Sequence, residues 1–315
     1  VLNFYKNQQD YLKFSGEDRL DLINRLSTNN VKSLSESQWT KTILTSDKGR
    51  FVDLLVLFNF GSFVFAECSH GNASSTASHL EKYTIMDDFK CENMAGTHSP
   101  ILFFGDSCED FISNEFGIQP LQENTFSIIK PDGKDALIYK NDGEFDGYVL
   151  IYPKADDEYY SAKLFNDDAI RKYNMHELSD SEYELKRIEH GIPEFGKEMT
   201  EQTNPLECSL EKYVSFTKGC YIGQEVIARL DAYDKISKHM IGIKFNDDFS
   251  YNPNLKISTD NKECGYVTSY AKSEEWGKIG LGFVKTIFLD YKKNYKVKSE
   301  ESESDCKIIK LPFKE

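Results

Sequence analysis

The chain has no apolar run of 18 or more residues, the length a membrane-spanning helix requires. Residues 1–14 lack the charged head, apolar centre and small-residue cleavage site of a secretory signal, so the expected location is cytoplasmic. No block of lysine and arginine occurs. With 38 basic against 52 acidic residues the net charge is −14, which repels a polyphosphate backbone and argues against nucleic acid as the main partner. Seven cysteines (68, 91, 108, 208, 220, 264, 306) are odd in number and scattered, with no C-x-x-C. That argues against a disulfide framework or a zinc finger and suits a reducing compartment. The six histidines form no H-x-x-x-H or H-E-x-x-H, so no preformed metal site is expected. G-x-G-x-x-G after a strand, G-x-x-x-x-G-K-[ST] and G-x-S-x-G are absent too, which removes the usual dinucleotide, nucleoside triphosphate and hydrolase readings.

What is present is the composition of a folded soluble protein, with 39% hydrophobic residues, 22 Phe and 18 Tyr in 315 residues, long enough for two or three domains. Ser15-Gly16-Glu17-Asp18 reads as a capping box ahead of a helix carrying Leu20, Ile23 and Leu26 on one face. Asp47-Lys48-Gly49-Arg50 reads as a hairpin turn between apolar strands. Helices are expected near 73–83, 106–116, 156–172 and 180–190, with strands between them. After Asp231 only short strands and polar turns remain, the pattern of a small β-barrel or sandwich. The predicted organisation is α+β over 1–237, in two lobes (1–95 and 96–237), followed by a C-terminal β-barrel over 238–315.

Lys218-Gly219-Cys220-Tyr221-Ile222-Gly223-Gln224-Glu225 is the most informative run. It sets a thiol near a predicted helix start, where unpaired N–H groups and a neighbouring lysine both favour thiolate. Such a thiol can do chemistry, bind a soft metal or line an anion pocket, although a lone cysteine is more commonly buried filler. Arg187-Ile188-Glu189-His190-Gly191-Ile192-Pro193 reads as a helix end, with Gly191 left-handed. It either carries a surface ion pair beside the cap, or Arg187 or Glu189 turns inward to hydrogen-bond a polar ligand. Asp53, on an apolar strand, is either inward-facing or plainly exposed.

These runs, with Asn204-Pro205-Leu206-Glu207, Val214-Ser215-Phe216-Thr217, Lys48-Gly49-Arg50-Phe51-Val52-Asp53 and Ile279-Gly280-Leu281-Gly282-Phe283-Val284, resemble the YgfZ-type family of tetrahydrofolate-binding proteins. These are relatives of the glycine-cleavage T-protein, an aminomethyltransferase. The resemblance covers roughly residues 14–290 and implies two ferredoxin-like lobes and a β-barrel around a channel that takes tetrahydrofolate. It implies a role in assembling or maintaining iron–sulfur clusters in client proteins. Cys220 would be the reactive residue and Lys218 its electrostatic support. Tyr221 would form a channel wall, and Arg187, Gln224, Glu225 and Asp53 would be cofactor contacts. Two carboxylates of the aminomethyltransferases are replaced here, by Ser74 and by Val149 in Gly147-Tyr148-Val149. That counts against the alternative of folate-dependent aminomethyl or one-carbon transfer. A third reading is an interaction module with a vestigial channel.

Overall fold

The computed structural model describes residues 1–143, 145–232, 235–246, 255–298 and 303–313. In chain order the strands and helices begin with β1 (Leu2–Tyr5), β2 (Gln9–Ser15), α1 (Arg19–Leu26), β3 (Trp39–Thr45), β4 (Phe51–Asn59), β5 (Val64–Ser69), α2 (Ala73–Tyr83) and β6 (Lys90–Asn93). Then come β7 (His98–Phe104), α3 (Cys108–Phe116), β8 (Phe126–Ile129), β9 (Ala136–Asn141), β10 (Gly147–Pro153), α4 (Asp157–Leu164), α5 (Asp167–Tyr173) and β11 (Met175–Glu177). The remainder is α6 (Asp180–His190), α7 (Gln224–Ala232), β12 (Lys238–Phe245), β13 (Lys256–Thr259), β14 (Lys262–Ser273), β15 (Gly277–Lys285), β16 (Tyr295–Lys298) and β17 (Glu303–Ile309). No described helix is long and apolar enough to cross a membrane.

Two compact units emerge, one of Val1–Thr45, Val52–Ser179 and Tyr213–Ile222, the other of Ser46–Phe51, Asp180–Lys212 and Gly223–Glu315. The barrel strands start at Lys238. Compactness nevertheless groups 180–212 with the barrel, because α6 lays Ile188 against Ile279, Leu281 and Phe313.

The first unit holds two open sheets, ordered β3-β4-β5-β2-β6 and β11-β1-β7-β10-β9-β8. Strand alternation gives each sheet two faces. One face of the first sheet presents Leu12, Phe14, Leu55, Leu57, Val64 and Ala66 to Leu22, Ile23 and Leu26 of α1 and to Leu80 of α2. One face of the second presents Ile101, Phe103, Ile138, Tyr148 and Leu150 to Phe111 of α3, Tyr160 of α4 and Tyr173 of α5. The opposite faces meet each other through aromatic side chains, Phe58 and Trp39 each 4.9 Å from Tyr139 between ring centroids. The lobes are not contiguous in sequence as expected. β1 pairs parallel with β11 and antiparallel with β7, so residues 2–5 belong to the second sheet.

The second unit ends in a closed barrel, β12-β15-β14-β13-β16-β17, filled by residues such as Ile241, Ile243, Leu255, Ile257, Tyr295 and Val297. Closure removes the sheet edges that an open sheet of short strands would leave unpaired.

Two local expectations differ. Ser15 ends β2, and α1 starts at Arg19 after Asp18, whose carboxylate accepts from Asp88 N at 2.8 Å; long-range pairing takes the place of a capping box. The helix expected over 156–172 is two helices, because Asn166 caps α5 by accepting from Ala169 N at 2.9 Å.

Candidate functional site

Residues 213–222 form an irregular loop tied to the end of α1 and to β3. Thr28 Oγ1 donates to Tyr213 O at 2.7 Å and Ser215 N to Thr28 O at 2.9 Å. Ile222 N donates to Arg25 O at 2.9 Å and Thr45 Oγ1 to Ile222 O at 2.8 Å. The strongest tie is Lys218, whose Nζ donates to the carbonyls of Asn24 (2.7 Å), Ser27 (2.6 Å) and Asn29 (2.6 Å). These carbonyls lie where α1 ends, the negative pole of its dipole. Burial alone pulls the ammonium down to about 7. Three carbonyl acceptors use all three N–H donors of the charged form, and that geometry holds the proton in place. The same Nζ sits 4.9 Å above the Tyr221 ring centroid, and Tyr221 is buried. Lys218 was expected to support the Cys220 sulfur; the structure gives it a fastening role, with its charge spent on α1.

Cys220 itself is exposed on this fastened loop. Of the other six thiols, Cys68, Cys108, Cys208, Cys264 and Cys306 are buried and Cys91 is half-buried. Burial pushes Cys91, Cys108 and Cys306 up to about 12 and Cys68 and Cys208 further still. Reactivity needs thiolate and access, and the six lack one or both. A maleimide applied to the native protein should therefore label one thiol per chain, in the peptide containing Cys220, by mass spectrometry. Equal labelling of a second cysteine before unfolding would contradict this picture.

The glycines of the run have different duties. Gly219 is open, with nothing within 4 Å of a Cβ placed there. Gly223 has φ +79°, and a Cβ there would lie 2.6 Å from Ser46 O and 2.9 Å from Gly49 Cα. Only glycine fits, because the 46–51 hairpin turn packs backbone to backbone against it. Gln224 opens α7 half-buried and Glu225 is exposed in its first turn.

Arg187 is 2% exposed. Its Nε and Nη2 donate to Glu184 at 2.9 and 2.6 Å, Nη1 to Ile192 O at 2.7 Å and Glu198 at 2.9 Å, and Nη2 also to Ser269 Oγ at 2.7 Å. All five N–H groups are engaged inside the second unit, so no donor is left for the cofactor contact expected of it. Asp53 is fully buried, on the helix-facing side of β4. It accepts from Thr76 Oγ1 at 2.5 Å, Leu54 N at 2.9 Å and Ser69 N at 3.2 Å, fastening α2 to the sheet. Burial raises its carboxyl. Of the two placements the sequence leaves open, Asp53 takes the inward-facing one, with its carboxylate engaged by the chain's own groups.

Three residues on the facing side of the first unit's sheets belong to no motif of the sequence. Tyr11 Oη, Trp39 Nε1 and Glu67 Oε2 are buried, and none has a hydrogen-bond partner among the described residues. Tyr11 and Glu67 are cross-strand partners on β2 and β5. Tyr11 stacks on Phe65 with centroids 5.1 Å apart, Phe58 and Trp39 bracket Tyr139, and Lys41 lies 5.9 Å from the Trp39 ring. Each polar group buried without a partner costs about 1–3 kcal/mol, so three in one layer mark a place made to receive polar atoms. The signal was legible in part: Glu67 is a charged residue within the apolar strand Val64–Ser69. The aromatic walls and orphaned donors and acceptor suit a flat ring with polar atoms on its rim.

Two open sheets backed by helices, then a closed six-stranded barrel, define an α+β protein of the aminomethyltransferase type of architecture. The solved glycine cleavage system aminomethyltransferase T from Bartonella henselae has the same fold, with a TM-score of 0.84 at 16% identity over 99% of this chain and 86% of that one. The chain belongs to the glycine cleavage T-protein family: residues 8–218 match the GCVT N-terminal domain and 238–314 the glycine cleavage T-protein C-terminal barrel domain. It is 26% identical over 294 residues to a putative chloroplastic transferase of Arabidopsis thaliana, covering 87% of this chain and 63% of that relative's length. It is 24% identical over 285 residues to an aminomethyltransferase of Thermoanaerobacter pseudethanolicus, covering 85% of this chain and 74% of that one.

Proposed function

We propose that this chain is a tetrahydrofolate-binding accessory protein for the assembly or maintenance of iron–sulfur clusters in other enzymes, with Cys220 as its working residue. The observation that carries this reading is the exposure of Cys220 alone among seven thiols, on a loop fastened by Lys218. A fastened loop presents the sulfur at a defined place, so a partner can meet it without first ordering the chain. Cys220 Sγ would give its proton to solvent and its lone pair to an iron of a cluster in transit. One such ligand suffices when the partner supplies the others. The folate would lie among Tyr11, Trp39 and Glu67, where polar atoms await a partner.

The alternative, aminomethyl transfer on tetrahydrofolate, draws on relatives such as the Thermoanaerobacter aminomethyltransferase. Against it stand Val149 in place of a carboxylate and the full engagement of Arg187.

The test is Cys220→Ala expressed in cells that lack the native protein. Activities of cluster-dependent enzymes should fall to the level of the empty control while the variant keeps the wild-type melting temperature. Wild-type activities with a folded variant would remove the thiol from the mechanism. Folate-dependent release of an amine or one-carbon unit by the purified protein would instead favour the transferase.

A further inference from the structure

The facing layer of the first unit contains a carboxyl with unspent capacity. Glu67 is 9% exposed, flanked by Tyr11 on β2 and Val56 on β4, and its Oε2 has no partner among the described residues. Burial pushes this carboxyl up to about 7, and the Lys41 charge only partly opposes that. Burial, with Glu67 adjacent, also raises the Tyr11 phenol well above its usual range, so both its O–H and the Trp39 N–H remain donors. The layer thus offers two donors and one carboxyl that accepts when ionised, with aromatic rings on either side. Its complement is a flat ring carrying acceptors and adjacent N–H donors on its rim.

We propose that Glu67 is the specificity-determining residue of the ligand layer, reading the adjacent amino and ring N–H donors of a 2-amino-4-oxo heterocycle. Tyr11 and Trp39 serve the ring's acceptors. The proposal rests on the folate-binding reading above and names the group that would recognise the pterin. A carboxylate facing two parallel N–H donors is a charge-assisted, two-point contact, stronger than a neutral bond and directional enough to select a ring edge. The chemistry is shared by the pterin of a folate and by the base of a guanine nucleoside. Rejection of a ring lacking the amino group follows, because the carboxylate would then be left buried and half paired.

The test is calorimetric titration of the full chain at pH 8 with tetrahydrofolate, guanosine and a tetrahydropterin bearing 2-oxo in place of 2-amino. Wild-type and Glu67→Gln proteins are compared. The glutamine is isosteric and uncharged, so folding is kept while one acceptor of the pair becomes a donor; melting curves verify this. The expected result is binding of tetrahydrofolate that weakens about ten- to a hundredfold in Glu67→Gln, with the 2-oxo ring weakened similarly in the wild type. Tetrahydrofolate bound equally by both proteins would overturn the role of Glu67 and leave the folate reading standing. Guanosine bound in a Glu67-dependent way, without tetrahydrofolate, would support the ring-edge reading and overturn the folate one. Binding of none of the three would overturn both.

Discussion

Replacing Arg187 with alanine should destabilise the second unit by about 3–5 kcal/mol, the usual cost of breaking a buried ion pair from one side. The reason is what remains behind. Glu198 is fully buried, and Glu184 and Glu194 lie within ion-pair distance of the lost guanidinium, leaving Lys197 as the cation shared by Glu184 and Glu194. Thr268 and Ser269 still donate to Glu198, but hydroxyls carry no charge. Arg187→Lys should recover only part of the loss, because an ammonium has three donors where the guanidinium makes five bonds in a fixed plane. Urea unfolding followed by a probe in the barrel reads the effect. A loss under about 1 kcal/mol for the alanine variant would show that water takes over the network.

The same network sets an acid limit. Burial works to raise the Glu184 carboxyl, and the hydrogen bonds and charges of Arg187 and Lys197 outweigh it, leaving it below its ordinary 4.5. A depressed acid stabilises the fold above its unfolded value and loses that contribution as pH falls through its folded value. The second unit should therefore weaken below pH 4.5, and Arg187→Ala should show less of that acid weakening.

Glu67 should produce the opposite trend. Its carboxyl moves from 4.5 in the unfolded chain to about 7 in the folded one. A raised acid takes up a proton on folding, so its stabilising form is complete below 4.5 and is lost as pH rises through 7. At roughly 1.4 kcal/mol per pH unit, ligand-free stability should drop by about 3 kcal/mol across that interval. Glu67→Gln should flatten this part of the pH profile and be the more stable protein at pH 8. Parallel wild-type and variant profiles from pH 4.5 to 8 would mean that the carboxyl stays ionised inside the sheet layer.

Much of this protein is legible without coordinates because period is a local property. The alternation that puts Leu55 and Leu57 on one face of β4 fixes the strand, and the break after Leu26 fixes the end of α1. Gly191, left-handed at φ +69°, closes α6 where the sequence places it. Two of the missed features depend on distant pairing: Asp88 takes the place of the Ser15 cap, and β7 and β11 draw β1 into the second sheet.

Residue order alone determined the architecture, α+β then all-β, and singled out the run that carries Cys220. Tertiary structure decided which polar groups are spent. Lys218 meets a carbonyl 194 residues earlier in the chain, and Arg187 meets Ser269 82 residues later, and neither partner has a sequence signal. The orphaned groups of Tyr11, Trp39 and Glu67 come from three strands, and only their shared burial gives them meaning. Hydrogen-bond satisfaction and desolvation are sums over neighbours in space, whereas secondary structure depends first on neighbours in sequence.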